Sequence, residues 1–296
     1  MRVGVLGLGI MGSAYAKHLA GAGYELWGFD PDPSAAERLL EMKGRVAASP
    51  RALAETCDVV ISALASTAAL DAAFFGGDGV VAGAHPGLIV LEAGTFALDA
   101  KERVREKLAE RDAIALDTPV SGTGAQALHK DLMVFASGDG AACADVTPVM
   151  SAFARDVRYV GAYGNGSKYK YVANLLVTIH NLAAAEAVVL AEKAGLDPKA
   201  MVEIIAHSAA TSRMFEVRAP MMAAREYEPP AMKLDVYQKD IDTIATFARH
   251  VGAATPLFSA SLPFYAEAVA EGRGGQDTAA IVAPLRAASG LPPEKR

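Results

Sequence analysis

The sequence predicts an α/β amino-terminal domain, a doubly wound and mostly parallel sheet, followed by an all-α carboxy-terminal domain. Three observations predict it. Short apolar runs alternate with helical periodicity through the first half, as in βα units with helices on both faces of a sheet. The first of these runs leads directly into a glycine pattern, Gly7-Leu8-Gly9-Ile10-Met11-Gly12, where such a sheet carries its ligand turn. Beyond Gly164 strand-like segments stop, and apolar residues recur with helical period. A chain of 296 residues is long enough for two domains, and the change of pattern divides it as 1–163 and 164–296.

Composition narrows the function classes. At 52% hydrophobic and 21% charged residues the chain can bury a sizeable core. A net charge of −6 argues against nucleic acid or an anionic membrane as partner. Cys57 and Cys143 lie far apart and match no metal spacing, so no metal is expected. They read as small buried hydrophobes in a reducing, cytoplasmic setting. Arg2 before an apolar run imitates a signal sequence, but four glycines and Lys17 within the first twenty residues leave no apolar stretch of the required kind. The apolar stretch from Tyr171 to Ala191 is broken by Asn174, His180, Asn181 and Glu186. It reads as a helix buried in a bundle or at a subunit contact rather than a membrane span.

The elements follow in order. Arg2 to Leu6 is a short apolar strand. After the glycine pattern, Ala16, Leu19 and Ala20 share one helical face, and a second strand runs from Tyr24 to Phe29 and ends at Asp30. Strand, glycine loop, helix, strand and acid form the dinucleotide-binding context of a Rossmann domain, with Asp30 lying 30 − 12 = 18 positions beyond Gly12. Gly7 makes the tight turn, Gly9 lets the backbone approach a pyrophosphate, and Gly12 lets helix pack on strand. The helix N-terminus faces the phosphates. Asp30 would accept hydrogen bonds from the ribose hydroxyls and repel a 2′-phosphate. With Asp32 beside it and Arg38 as the nearest cation, NAD is expected rather than NADP.

Further strands are expected at 58–64, 88–93, 113–117, 132–137 and 157–160, with Ser49-Pro50 opening the helix before the first of these. Ligands sit beyond the carboxyl ends of such strands. That places Leu64-Ala65-Ser66, Gly94-Thr95 and Ser121-Gly122-Thr123 on the ligand-facing rim. In the second half, helical runs cover about 165–194, 198–208, 235–251 and 256–271, with Gly195 and Pro198 as stop and start signals. The stripe Leu175, Ile179, Leu182 and Val189 reads as core. The tail Leu291-Pro292-Pro293-Glu294-Lys295-Arg296 resembles a linker.

The joint between the halves, Gly164-Asn165-Gly166 through Asn174, sets Lys170 and Asn174 at i and i+4 on one helix face. An ammonium and a carboxamide so stacked can hold a substrate oxygen and exchange a proton with it. A surface lysine beside a capping asparagine has the same spacing. Lys168 stands about 200° around the helix from Lys170 and cannot share that face.

With these residues in place, the chain resembles the β-hydroxyacid dehydrogenase family, which contains 3-hydroxyisobutyrate dehydrogenase and tartronate semialdehyde reductase. The resemblance runs almost end to end. Gly7-Leu8-Gly9-Ile10-Met11-Gly12 is similar to the family's cofactor loop. Asp117-Thr118-Pro119-Val120-Ser121-Gly122-Thr123 is similar to its substrate loop, with Thr123 in place of a glycine. Gly164-Asn165-Gly166 with Lys170 and Asn174 resembles its catalytic signature, with Ala173 in place of a first asparagine. Lys239-Asp240 and Gly272-Arg273-Gly274-Gly275-Gln276-Asp277 resemble its carboxy-terminal motifs, while Ala65-Ser66 stands where a proline is frequent.

The resemblance implies roles. Lys170 would be the general acid/base and Asn174 would orient the substrate. Ser121, Gly122 and Thr123 would bind its carboxylate through hydroxyl and backbone N–H groups. Thr95 and the Leu64-Ala65 rim would touch the nicotinamide side, Lys239 would reach the cofactor, and Asp240 would support the substrate site. The expected reaction is hydride transfer between NAD and a small β-hydroxy acid or its semialdehyde. Candidates include 3-hydroxyisobutyrate, glycerate and threonate-like sugar acids, and the added Thr123 hydroxyl leans towards a polar one.

His129, His180, His207 and Glu186 read as structural. An imine reductase or a non-catalytic NAD(P)-binding protein of the same plan is the alternative, and retention of Lys170 argues against both. A 6-phosphogluconate-type decarboxylase would need a longer carboxyl end. The apolar helix after Lys170 suggests a homodimer or homotetramer.

Overall fold

The computed structural model describes residues 1–293. The chain divides into two compact units, residues 1–170 and the residues from 171 onward. The change of sequence pattern at Gly164 marks where a long helix begins, and the units divide further along that helix.

In the first unit, β1 (Arg2–Leu6), β2 (Glu25–Phe29), β3 (Arg45–Val46), β4 (Val59–Ser62), β5 (Ile89–Glu92) and β6 (Ile114–Asp117) form one parallel sheet in the order β3-β2-β1-β4-β5-β6. Successive strand residues feed opposite cores. Val3, Val5, Val59, Ile61, Leu91 and Leu116 pack on one side, and Leu6, Val60, Val90 and Ala115 on the other. Burial on both faces is why these strands read as continuous apolar runs.

The register sets Leu6 opposite Phe29 and Ser62, Ser62 opposite Glu92, and Glu92 opposite Asp117. The carboxyl ends of five strands are therefore flush. Asp32, Ser49, Ser66 and Asp139 cap the helices that follow them, each accepting from a backbone N–H of the first turn.

The single sheet expected from the sequence is two. β7 (Val120–Ser121), β8 (Met133–Ala136) and β9 (Asp156–Tyr159) form a separate three-stranded sheet, with β7 antiparallel to β8 and β8 parallel to β9. Pro119 has no N–H with which to extend the β6 ladder. The short connection from Ser121 to Met133 allows only antiparallel pairing, whereas the helix Gly140–Phe153 provides the parallel crossover to β9. β3 and β7, at two residues each, are too short to show a period.

The helix Asn165–Lys193 leads into the second unit, where Pro198–Ala206, Arg213–Ala224, Leu234–His250, Pro256–Ala268 and Val282–Ala288 follow. Arg213–Ala224 lies outside the expected runs because Pro220 interrupts its pattern. Gly195 at φ +76 ends the long helix as expected. The core stripe expected on that helix holds in part, Leu182 and Val189 being buried. Tyr171, Asn174, Thr178, Asn181, Ala185 and Val188 are buried, while Leu175 and Ile179 are only partly covered and Glu186 is exposed. Polar side chains thus occupy the inner face, and each finds a partner there. Of the linker-like tail, Glu294, Lys295 and Arg296 lie outside the described residues.

Candidate active site

β1 delivers the chain into the glycine loop. Gly7 has φ +87, and a Cβ there would stand 2.9 Å from the Ala63 carbonyl oxygen. A Cβ on Gly12 would stand 1.9 Å from the Gly7 oxygen, so only glycine allows the helix Ile10–Gly21 to start so close to β1. Gly9 differs: a Cβ there would meet nothing within 4 Å. It caps that helix with no side-chain hydrogen bond. This open backbone at a helix N-terminus fits a pyrophosphate. Ile10 is exposed, Met11 half-buried and Leu8 buried.

Asp30, at the end of β2, is tied into the same loop. Its Oδ2 accepts the Leu8 N–H at 2.7 Å and its Oδ1 accepts the Asp32 N–H at 2.9 Å. Asp32 is spent otherwise. Its carboxylate caps the helix Pro33–Glu41 through the Ser34 hydroxyl and N–H, which hold its carboxyl below the usual range. Arg38 donates to Ser34 Oγ at 3.0 Å. Of the two acids weighed from the sequence, Asp30 is the one bound to the glycine loop.

The flush strand ends bring other expected residues to the same sheet edge. Half-buried Leu64 and exposed Ala65 follow β4, and Ser66 caps the next helix. Gly94 and Thr95 follow β5, with the Gly94 N–H donating to Glu92 Oε1 at 3.0 Å. The Asp117–Thr123 loop follows β6. Gly122, at φ +136, lies where a Cβ would stand 2.4 Å from Leu132 Cδ2, so the turn requires glycine. Ser121 and Gly122 are half-buried. Thr123 donates its N–H to Gln126 Oε1 at 3.1 Å, and its hydroxyl completes the capping box with Gln126. Gln126 is in turn held by Asp131 at 3.0 Å. A substrate carboxylate reaching Thr123 would compete with Gln126 for the same donors.

A buried charge cluster lies beneath this edge. Lys101 Nζ is 2.7 Å from Glu92 Oε2 and 2.7 Å from Asp117 Oδ1, with all three side chains 0% exposed. Burial would push the Lys101 ammonium down, but Asp117 and Glu92 outweigh it and hold it above the ordinary lysine value. Burial pushes the Glu92 carboxyl up, against the attraction of Lys101. Asp117 also accepts the Ser167 N–H at 2.7 Å and the Ser167 hydroxyl at 2.8 Å. Ser137 Oγ lies 3.2 Å from Asp117 Oδ2 and accepts the Gly166 N–H at 2.9 Å. These contacts grip the first turn of the helix that bears Lys170, which is itself 7% exposed.

In the second unit Asn174, Lys239 and Asp240 come together. Asn174 Nδ2 donates to Asp240 Oδ2 at 2.9 Å, and Lys239 Nζ donates to Asp240 Oδ1 at 2.7 Å. The Asn174 carbonyl accepts from Thr178 Oγ1 at 2.8 Å and Tyr237 OH at 3.0 Å. Asp277, the acid that closes the glycine-rich turn, pairs with buried Arg218 at 2.9 Å and accepts the Ala231 and Met232 N–H groups. His129 and His207 are exposed and His180 is half-buried. Among the described residues no group of three or more His, Cys, Asp or Glu is placed to hold a metal ion.

Sequence reasoning missed Lys101, Glu92, Ser167, Gln126 and Tyr237. One signal for Lys101 was available: it stands in register with Val104 and Leu108, at i, i+3 and i+7, on the buried face of the helix Leu98–Ala109.

Comparison with known proteins bears on this geometry. Residues 2–161 match the family model described as the NAD binding domain of 6-phosphogluconate dehydrogenase. Residues 164–285 match the one described as the NAD-binding of NADP-dependent 3-hydroxyisobutyrate dehydrogenase. The L-threonate dehydrogenase of Cupriavidus necator is 35% identical over 95% of this chain and 94% of its own. That of Haemophilus influenzae is 33% identical over 95% and 93%. A solved 3-hydroxyisobutyrate dehydrogenase from Salmonella typhimurium superposes with a TM-score of 0.87 at 32% identity, covering 95% of this chain and 99% of that one. An imine reductase from Pseudomonas sp., at a TM-score of 0.63 and 21% identity over 95% and 97%, shares the fold alone.

Proposed function

The chain belongs to the β-hydroxyacid dehydrogenase family, and within it we propose an NAD-dependent oxidoreductase that passes a hydride between the cofactor and a small hydroxy acid, with Lys170 as the general acid/base. One observation carries the reading. Lys170 and Asn174 stand one turn apart on a single helix, 7% and 3% exposed, and Asp240 holds the Asn174 amide.

The nicotinamide, when bound, accepts or supplies the hydride. The other roles belong to the chain. The Gly7–Gly12 loop takes the pyrophosphate, and Asp30 takes the adenosine ribose. Lys170 removes the substrate hydroxyl proton as the carbon gives up its hydride, and returns it in the reverse direction. With one Nδ2 hydrogen held by Asp240, Asn174 orients the substrate oxygen through its second Nδ2 hydrogen, which leaves the hydroxyl proton to Lys170. Ser121 and Gly122 receive the carboxylate, with Thr123 as the position where Gln126 competes. Thr95, Leu64 and Ala65 line the nicotinamide side, and Lys239 reaches the cofactor. The NAD-binding role falls to residues 1–163, and the substrate and oligomerisation role to residues 164–296.

The names of the relatives support a threonate-like sugar acid as first substrate, with 3-hydroxyisobutyrate next. Val172, Leu176 and Leu190, exposed at 60%, 46% and 71% on the long helix, support a homodimer or homotetramer, which light scattering tests. Two free buried thiols support a cytoplasmic setting. The test of function is NADH formation over a panel of L-threonate, 3-hydroxyisobutyrate and glycerate, with NAD⁺ and NADP⁺ in parallel. Turnover with NAD⁺ preference is expected. Silence across the panel, from protein that binds NADH, would overturn the proposal.

A further inference from the structure

We propose that Asp117 and Lys101 are positioning residues for the reaction, tying the first turn of the Lys170 helix to the loop that begins at Asp117 and carries Ser121 and Gly122. The proposal rests on the reading of Lys170 as the acid/base.

Asp117 sits where two parts of the machinery meet. It is the last residue of β6 and opens the Asp117–Thr123 loop. Its Oδ1 faces Lys101 Nζ and the Ser167 hydroxyl, and its Oδ2 faces the Ser167 N–H and Ser137 Oγ. Four donors on one buried carboxylate leave it a single orientation. A Cβ on Gly166 would stand 2.4 Å from the Phe135 oxygen and 2.8 Å from the Asp117 oxygen, so the helix start is pressed against the ends of β6 and β8. Ser167 lies three residues before Lys170, nearly one helical turn. A displacement at Ser167 is therefore passed up a stiff helix to the Lys170 ammonium, and a shift of about 1 Å in such a group costs on the order of 100-fold in rate.

Lys101 makes the arrangement possible. Apolar side chains of similar volume often replace buried ion pairs at no loss of stability, yet three charges are buried here. Lys101 supplies the countercharge that lets Asp117 face so many donors. Glu92 has a different task. It balances Lys101 and binds the Gly94 N–H, and it touches neither Ser167 nor Ser137 in the contacts above. The cluster is thus asymmetric: Asp117 positions and Glu92 compensates.

The experiment compares Asp117→Asn, Ser167→Ala and Glu92→Gln with the wild-type chain. It reads NADH affinity, kcat, and the primary isotope effect with NADH deuterated at the transferred position. The substrate is the oxidised product of whichever acid the wild type turns over. Amide hydrogen exchange over residues 164–170 is read in parallel. Asp117→Asn is expected to lower kcat on the order of 100-fold, to raise the isotope effect and to speed exchange at Gly166 and Ser167. Ser167→Ala should show the same changes at about tenfold, which keeps the test open if Asp117→Asn does not fold. Glu92→Gln should stay near wild type in all readouts, and NADH affinity should hold throughout.

A purely structural role would lower kcat in proportion to the folded fraction, leave the isotope effect unchanged, and make Glu92→Gln as harmful as Asp117→Asn. Any of these results overturns the proposal. If the wild type turns over no acid, the functional reading fails, and exchange alone decides whether Asp117 grips the helix. Faster exchange at 166–167 in Asp117→Asn but not in Glu92→Gln upholds the grip, and equal exchange removes it.

Discussion

Lys170 and Asp30 carry the two most exposed claims at the scale of single residues. A positioned general acid/base contributes roughly 100- to 10,000-fold. Lys170→Met should therefore lower kcat by about that range and leave the NADH dissociation constant within twofold. A loss of NADH binding instead would recast Lys170 as a cofactor contact. Asp30 holds the Leu8 N–H and, in the proposed function, meets the adenosine ribose. Asp30→Asn keeps an acceptor for Leu8 but removes the charge, so preference should move towards NADP by about tenfold or more, an energy of about 1.4 kcal/mol. Fluorescence titration with NADH and NADPH measures it. Asp30 was legible in the sequence because its spacing from the glycine loop is set by one helix and one strand. That Asp32, the acid counted beside it, caps its own helix was not legible, because whether an acid caps its helix or faces a ligand depends on side-chain direction and not on position.

The glycine loop and its helix are best judged as an element. Gly9 and Gly12 are both glycine for different reasons, and alanine separates them. Gly12→Ala drives a Cβ to within 1.9 Å of the Gly7 oxygen, so helix and strand must part and the melting temperature should fall along with NADH binding. Gly9→Ala places its methyl in open space. Melting should stay within about 2 °C, since a surface change of this kind moves stability by less than about 0.5 kcal/mol, while NADH affinity falls at least tenfold. Equal melting losses in both would show that Gly9 is a packing residue. Strand existence was legible because each buried strand is apolar on both faces. The break into two sheets was not, because it hangs on Pro119 and on the antiparallel return of a two-residue strand. The inner face of the long helix was assigned only in part, at Leu182 and Val189, for a related reason. Asn174, Thr178 and Asn181 can face inward only because Asp240, Tyr237 and Tyr265 meet them, and those partners lie far along the chain.

The whole molecule carries its two thiols deep in the first unit. Burial pushes Cys57 up to about 12 and Cys143 up to about 11, from about 9. The unfolded chain therefore releases thiol protons from about pH 9 while the native chain keeps them. The associated stability is complete below pH 9 and is lost as pH rises towards 11–12. Tyr15, Tyr163 and Tyr265, also raised by burial, act in the same direction at higher pH. Urea midpoints should fall between pH 9 and 11, and the Cys57→Ala/Cys143→Ala variant should flatten that fall. A thiol reagent should find no reactive cysteine in the native protein and 2 after unfolding.

Local pattern was enough for the fold class, the Gly7–Gly12 loop, the place of Asp30, and the pairing of Lys170 with Asn174. Each is an affair of neighbours in the chain, where a period of 2 or 3.6 residues or a fixed spacing dictates which side chains share a face. The joining of Lys101 to Asp117, of Asp117 to Ser167, of Asn174 to Asp240 and of Asp277 to Arg218 came only with folding. A charged or polar side chain carries no mark of its partner in its own stretch of sequence. Its cost of burial is met by a group 16, 50, 66 or 59 residues away, and only the packed molecule brings such groups within hydrogen-bonding distance.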